Sequence, residues 1–494
     1  MTRMAAVDLG AQSGRVAVGD FDGERLRVDE THRFENVPVT EDGILRWDLE
    51  RLYEDTVAGL RAAAGDASLD SVAVDAWAVD FGLLDAGGRL LANPVHYRDA
   101  RRAGAVEHVY SRVPPRELYE RTGIQLLPIN TVFELAALAR DGTPALAKAE
   151  TLLLIPDLVH NRLCGSRSTE LTNATTTQCF DPTANDWARD LLERLDVPTG
   201  LLPEIVPPGT RLGRAEAGDA PGLDGAAVVA VATHDTGSAV AAIPFGRPDS
   251  VFVSVGTWSL VGLEVDQPLI TEETFAANLT NEGGVEGTFR LLRNVTGLWL
   301  LHEARRSWAA GGQSYSFDEL IAAAAAAPAL RSLVDPDDDS FAAPGDMPAR
   351  IDAFCRRTGQ SAPDGPGATA RCILESLALK HALTVDLLRE VTGNDPAELH
   401  VVGGGARNDL LCRWTAAASG LPVLAGPEEA TLVGNLLVQA MALGELASLD
   451  QAREVARASF VPTVYEPVAA AEWSEARRRF AELAGSAAPL EVGS

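Results

Sequence analysis

The chain has 494 residues, 46% of them hydrophobic and 23% charged, and a formal net charge of −28 at pH 7. That length exceeds one ordinary core and predicts two or more domains, with enough apolar residue to fill them. The acidity argues against a nucleic-acid-binding face and against attraction to anionic membranes, so an anionic ligand has to be drawn in locally.

The N-terminus, Met1-Thr2-Arg3-Met4, runs at once into the apolar Ala5-Ala6-Val7 and Asp8. That leaves no room for a secretory leader, and no apolar run reaches 18 residues, so a cytoplasmic, non-spanning protein is expected. Ala5–Leu9 and Val16–Phe21 read as a hairpin around a Gly- and Ser-containing tip, with Leu26–Phe34 as a third strand. Leu49–Gly65 reads as a helix and Ser71–Val79 as a strand entering a polar segment. Ala226–Ala232 is the next apolar strand, followed by a small-residue helix over Ser238–Ile243. A second strand–turn–strand unit, Val251–Val255 and Trp258–Val265, repeats the form of the first near mid-chain and predicts duplicated halves. The boundary is placed near Pro244–Pro248. Ile321–Ala327 is an Ala-rich helix, and Asp335–Asp339 reads as a solvated acidic loop rather than a calcium loop. Leu399–Val402 enters the Gly403-Gly404-Gly405 loop before a helix over Asn408–Ser419; Ala430–Leu443 is a further helix, and the residues after Gly485 read as a loose tail. The five cysteines (Cys164, Cys179, Cys355, Cys372, Cys412) form no C-x-x-C and no zinc cluster. They are expected to be reduced, with a local Cys355–Cys372 bridge as the alternative.

Four strings carry chemistry. In Asp8-Leu-Gly-Ala-Gln-Ser-Gly-Arg15, Gly10 and Gly14 permit a tight turn whose amides can face phosphate oxygens. Asp8 at the strand end can hold Mg²⁺ through water. A plain hairpin turn needs the same residues. Asp235, at a strand-to-helix junction, is a candidate general base; an N-cap is the other reading. Gly256-Thr257 can bring a hydroxyl and an amide to a phosphate, and three successive glycines at 403–405 let backbone lie against a nucleotide. No G-x-x-x-x-G-K-[ST] occurs, and 403–405 is not a dinucleotide fingerprint.

Together, Asp8-x-Gly10, Gly256-Thr257 and Gly403–Gly405 stand in the order of the actin-like ATPase fold. The chain resembles the FGGY carbohydrate kinase family over nearly all of residues 5–450. Within that family the resemblance is to the rhamnulokinases. It rests on Ala6–Arg15, Asp75–Asp80, Tyr97-Arg-Asp99, Gly123–Asn130, His234-Asp-Thr236, Gly256–Leu260, Asn281–Gly284 and Gly297–Leu301.

The resemblance implies an α/β fold of two actin-like (ribonuclease H-like) domains with a cleft between them. Residues 1–246 would bind sugar and phosphate and 247–455 the nucleotide; 456–494 would form a C-terminal helix and tail. It implies ATP-dependent phosphorylation of L-rhamnulose at the C1 hydroxyl in rhamnose catabolism, with ATP, Mg²⁺ and a small ketose as ligands and neither nucleic acid nor membrane as a partner. Position by position, Asp235 would accept the proton. Ala78, where the family pattern has Gly, would border the sugar with His234, Thr236 and Asn294. Ala11, Gln12, Ser13, Gly14, Arg15, Thr257, Gly404 and His302, where Gln is expected, would contact ATP. Another ketose kinase, for L-fuculose or D-xylulose, is the alternative enzyme. A non-catalytic actin-like sugar sensor is the alternative outside that class, and the presence of Asp235 argues against it.

Overall fold

The computed structural model describes residues 1–494 except 66, 100, 102–103, 217–221, 248, 469–470 and 486–494. Pro248 and the expected tail after Gly485 therefore lie wholly or mostly outside the described residues. The chain forms two compact units: Met1–Pro244 with Glu264–Leu291 and Ala430–Phe460, and Phe245–Leu263 with Leu292–Glu429 and Val461–Ser494.

In the first unit, strands β1 (Thr2–Leu9), β2 (Ser13–Phe21) and β3 (Leu26–Glu35) form the expected antiparallel meander. β4 (Ser71–Ala76) joins the other side of β1 in parallel, then β6 (Ala227–Ala230) in parallel, and β5 (Thr210–Arg214) closes the sheet antiparallel. The order is β5-β6-β4-β1-β2-β3. β4 stops at Ala76 instead of running on to Val79, because Val79 turns the chain with a φ of 70°. That conformation costs a β-branched residue free energy and marks the turn as one held by its surroundings. β1 and β4 are buried along most of their length, as strands covered on both faces must be. Helix α1 (Leu49–Ala64) covers one face.

The helix Ala430–Leu443 belongs to this unit although it lies near the end of the sequence. A Cβ at its Gly434 would stand 1.8 Å from the Ser238 carbonyl oxygen, so only glycine lets this backbone approach that closely. Its Asn435 donates to Asp75 at 2.6 Å, and its Gln439 donates to Asn435 at 2.7 Å and to the Ala5 carbonyl at 2.9 Å.

The second unit repeats the plan. β7 (Val251–Val255) pairs antiparallel with β8 (Trp258–Val265), and on its other side parallel with β9 (Leu399–Val402). β10 (Val423–Ala425) follows in parallel and β11 (Thr463–Tyr465) antiparallel. The sense of pairing outward from β7 matches that outward from β1, which is the duplication suggested by the sequence.

The acidic loop departs from expectation. Asp335 is buried, and Lys380 from the long helix Gly365–Thr392 lies 2.8 Å from it and 2.9 Å from Asp337. Asp335 and the partly exposed Asp337 hold a buried lysine, whereas Asp339 keeps the expected exposure to solvent. Cys164, Cys179, Cys355, Cys372 and Cys412 are free, so the Cys355–Cys372 bridge is not formed.

Candidate active site

Three aspartates of the first unit converge at the carboxyl ends of its parallel strands, the usual place for ligands in open α/β sheets. Asp8 near the end of β1 is in register with Asp75 near the end of β4, so both side chains project from the same face. After β6, residues 231–234 carry the chain to α2 (Asp235–Ala241), with His234 in a parallel bridge to Ala76. Asp8 is 3% and Asp75 0% exposed. Burial drives the Asp75 carboxyl well above its ordinary value; the Asp8 charge adds to the rise and the Asn435 hydrogen bond opposes it. The Oδ1 of Asp75 is buried with no hydrogen-bond partner.

His234, not Asp235, occupies the N-cap of α2, and Asp235 is the first helical residue. The N-cap reading of Asp235 is thereby replaced. Its Oδ1 accepts from the Thr236 amide at 2.5 Å and the Thr236 hydroxyl at 3.1 Å, and lies 3.3 Å from His234 Nε2. All three contacts fall on Oδ1, and one third of the side chain stays accessible, 33% by area, so Oδ2 is left for a ligand. Burial raises the Asp235 carboxyl above its ordinary value, with His234 opposing and Asp8 adding to the rise. A carboxylate so raised is a better proton acceptor than a solvated one.

The backbone beneath this site is clamped by a residue the sequence reading did not select. Glu170 is fully buried and accepts from the Thr233 amide at 2.8 Å, the Thr233 hydroxyl at 3.0 Å, the Thr172 amide at 2.8 Å and the Thr172 hydroxyl at 2.5 Å. The Thr172 hydroxyl in turn accepts from the His234 amide at 3.2 Å. A buried glutamate next to threonines is a recognisable signal only once the fold has brought residues 170 and 233 together.

The hairpin tip between β1 and β2 is a tight loop. The Gly10 amide donates to the Ser13 carbonyl at 3.0 Å, and Asn36, another residue the sequence reading passed over, ties the loop to β3 through its amide to Gln12 and its side chain to Gly10, both at 3.0 Å. Arg15 pairs with Asp8, its register partner across the hairpin. The Nε2 of Gln12 is a buried donor without an acceptor. Gly14 answers to packing: a Cβ there would lie 2.1 Å from the Phe34 ring. Valine at 14 would displace that ring, so loss of ATP binding in such a variant would report packing as well as phosphate contact.

Ala78 is half-buried between Trp77 and the turn at Val79. Asp80 accepts from the Trp47 indole at 2.6 Å, the Trp77 indole at 3.0 Å and the Tyr97 amide at 3.3 Å, and Trp77 packs 4.4 Å from Trp47. Trp77 and Asp80 are therefore parts of a buried polar-aromatic knot that supports the turn.

In the second unit, the Gly256-Thr257 turn between β7 and β8 is built like the first hairpin tip. The Gly256 amide donates to Trp258 at 2.8 Å, and the amides of Gly297 and Leu298 donate to Thr257 and Gly256 at 3.0 and 2.9 Å. Gly297 is required there, since a Cβ would stand 2.5 Å from the Trp258 backbone. Gly403, at a φ of 77°, and Gly405 press on Val255 at the end of β7, whereas a Cβ at Gly404 would meet nothing nearer than 3.9 Å. Gly404 is thus the one glycine of the three with an open side. His302, on the helix Trp299–Ala310, packs edge-on to Phe317 at 5.1 Å, and burial lowers its pKa to about 4. It is a neutral imidazole near pH 7 and offers a hydrogen bond rather than a charge. Asn294 lies half-buried on the strand Phe289–Thr296. Asn281, in the first unit, and Asn408 are both tied into the backbone around them. Asn281 bonds Leu269 and Gly123, and Asn408 caps the helix Asp409–Ser419 through the Leu411 amide at 3.1 Å.

Among the described residues no group of three or more His, Cys, Asp or Glu is arranged to hold a metal ion by itself, and no helix is long and apolar enough to cross a membrane.

The model of the N-terminal domain of the FGGY family of carbohydrate kinases matches residues 3–242, and that of the C-terminal domain matches residues 251–443. A rhamnulokinase of Bacteroides thetaiotaomicron is 43% identical over 479 residues, covering 96% of this chain and 98% of that protein. A rhamnulokinase of Pectobacterium carotovorum is 41% identical over 97% of this chain and 96% of its own. Among solved structures, a ligand-bound xylulose kinase from Lactobacillus acidophilus superposes with a TM-score of 0.78 at 17% identity, covering 98% of this chain and 97% of its own. Glycerol kinase of Plasmodium falciparum with ADP superposes with a TM-score of 0.76 at 14% identity, covering 99% and 97%. Matched across both halves by the family models and over nearly its whole length by these relatives, the chain belongs to the FGGY family of carbohydrate kinases.

Proposed function

We propose that this carbohydrate kinase phosphorylates L-rhamnulose at its C1 hydroxyl with ATP, giving L-rhamnulose 1-phosphate and ADP in rhamnose catabolism. The observation that carries the reading is Asp235, with Oδ1 anchored on three partners and Oδ2 left for a ligand. The full-length relatives named rhamnulokinase support the choice of sugar. L-Rhamnulose is a 6-deoxy ketose whose only primary alcohol is at C1, so a single well-placed acceptor suffices to select the reacting oxygen.

In this reading His234, Thr236, Ala78 and Asn294 contact the sugar. Residues Ala11–Arg15, Thr257, His302 and Gly404 contact ATP. Residues 1–246 serve sugar and phosphate, 247–455 serve the nucleotide, and the enzyme works in the cytoplasm, where ATP is held. Oδ2 of Asp235 accepts the hydroxyl proton as the oxygen attacks the γ-phosphorus in line and the bond to the β-phosphate oxygen breaks. The transition state is loose, so positioning and charge neutralisation dominate over covalent help. Mg²⁺ would be held by Asp8 together with phosphate oxygens and water, and would neutralise phosphate charge. The excess of carboxylates and the unpartnered Oδ1 of Asp75 fit a cation there.

A coupled ADP-release assay with L-rhamnulose, L-fuculose and D-xylulose side by side tests the reading. The highest kcat/KM is expected with L-rhamnulose; a preference for either other ketose would overturn the choice of sugar but not the kinase assignment.

A further inference from the structure

His234 touches more than Asp235. Its Nδ1 lies 3.2 Å from Glu282 Oε2 and 3.2 Å from Arg290 Nη2. Arg290 is wholly buried, Glu282 is 3% exposed, and Arg290 Nη1 is 3.2 Å from the same glutamate oxygen. The arginine is further fixed by its Nε, which donates to the Gly283 carbonyl at 2.9 Å, while the Gly283 amide donates to Thr175 at 2.9 Å. Burying such an ion pair is expensive and adds little stability in itself. Its placement behind the ring that touches the candidate base therefore asks for a reason.

The reason lies in the ring's protons. A carboxylate at Asp235 Oδ1 requires an N–H on Nε2. If Nδ1 accepts from Arg290, the ring is neutral and its one proton sits on Nε2. Glu282 Oε2, although 3.2 Å from Nδ1, is not in line for a hydrogen bond with it, so the Arg290 bond sets the tautomer and leaves Nε2–H facing Asp235. Without Arg290, the Glu282 carboxylate would draw the single proton of a neutral ring to Nδ1 and turn a bare lone pair toward Asp235.

We propose that Glu282 and Arg290 are positioning residues for phosphoryl transfer: together they keep the Nε2 proton of His234 on Asp235 Oδ1, so that Oδ2 is held toward the sugar hydroxyl. This rests on Asp235 being the proton acceptor. The other charged groups that act on this cluster are Glu170 and Glu264 on Arg290, and Asp8 and Asp75 on Asp235.

The test combines ¹⁵N NMR of the histidine side chains in the full chain with steady-state kinetics, His234 being assigned by the signal lost in His234→Asn. The wild-type spectrum is expected to show a proton on Nε2 of His234. Arg290→Met should lower kcat by about tenfold or more while the KM for ATP stays within about twofold, and adding Glu282→Gln should recover most of that loss, because it removes the charge that draws the proton to Nδ1. A bare Nε2 in the wild type, a kcat in Arg290→Met within about twofold of wild type, or a double variant no faster than the single one overturns the proposal. If Arg290→Met does not fold, the wild-type spectrum decides alone. If the wild type releases no ADP with any ketose, the kinase reading fails, and the spectrum still decides the arrangement of His234.

Discussion

Asp235 stands where a strand gives way to a helix, a place where a carboxylate can serve as a base or as a helix cap. The structure separates the two, because His234 takes the cap position and the three contacts of Asp235 all fall on one oxygen. No local pattern could have shown this, since it depends on where the helix begins by a single residue. Ala78 is a second position where one atom matters. It is half-buried beside a turn strained at Val79 and carries one methyl more than the glycine of the family pattern. Removing that methyl should change the ratio of kcat/KM between L-rhamnulose and L-fuculose by roughly tenfold, the usual worth of one methyl in a pocket. The KM for ATP should stay within about twofold of wild type. An unchanged ratio in Ala78→Gly would mean that residue 78 does not border the sugar.

At the scale of elements, most strands and helices were readable because their apolar periodicity and turn residues agree. What could not be read were contacts between segments far apart in sequence. Glu170 beneath Thr233, Asn36 against the hairpin tip, and the Ala430–Leu443 helix reaching Asp75 are all of this kind. The acidic loop was misread for the same reason: Asp335 and Asp337 look solvated until Lys380, more than 40 residues on, is placed between them. The turn after β4 is held by Asp80, which accepts from two buried indoles. Asp80→Ala would leave both N–H groups buried without an acceptor, and each such group costs about 1–3 kcal/mol. A loss of roughly 3 kcal/mol or more is expected in chemical denaturation. A loss under about 1 kcal/mol would mean that water or another group replaces the carboxylate.

Across the whole molecule, the duplicated strand plan was visible in the sequence only as an echo of form between residues 5–21 and 251–265; the parallel strands that complete each unit come from distant segments. Global stability carries a pH signature from one buried pair in the helix Ile155–Cys164. Burial pushes the Asp157 carboxyl up to about 8 and the His160 imidazole down to about 3. His160 fits the neutral form, since its Nε2 accepts from the Val74 amide at 3.2 Å. From pH 3.8 to about 8 the folded state holds a proton on Asp157 that the unfolded state has released, so this residue makes stability fall as pH rises. From about 3 to 6.5 His160 works in the opposite sense, because the unfolded state binds the extra proton. Above pH 6.5 His160 no longer opposes Asp157, the raised Asp75 carboxyl works in the same sense, and Tm should fall between about pH 6.5 and 8. Asp157→Asn should flatten that part of the Tm profile; an identical slope in the variant would remove Asp157 as its source. The whole account turns on one carboxylate, and the most direct measurement is sugar-dependent ADP release by Asp235→Asn, a change that keeps the side-chain shape. A fall in kcat of about 10²–10⁴-fold, with ATP still bound at near wild-type affinity, is the result expected of a lost general base. A kcat within about threefold of wild type would contradict it.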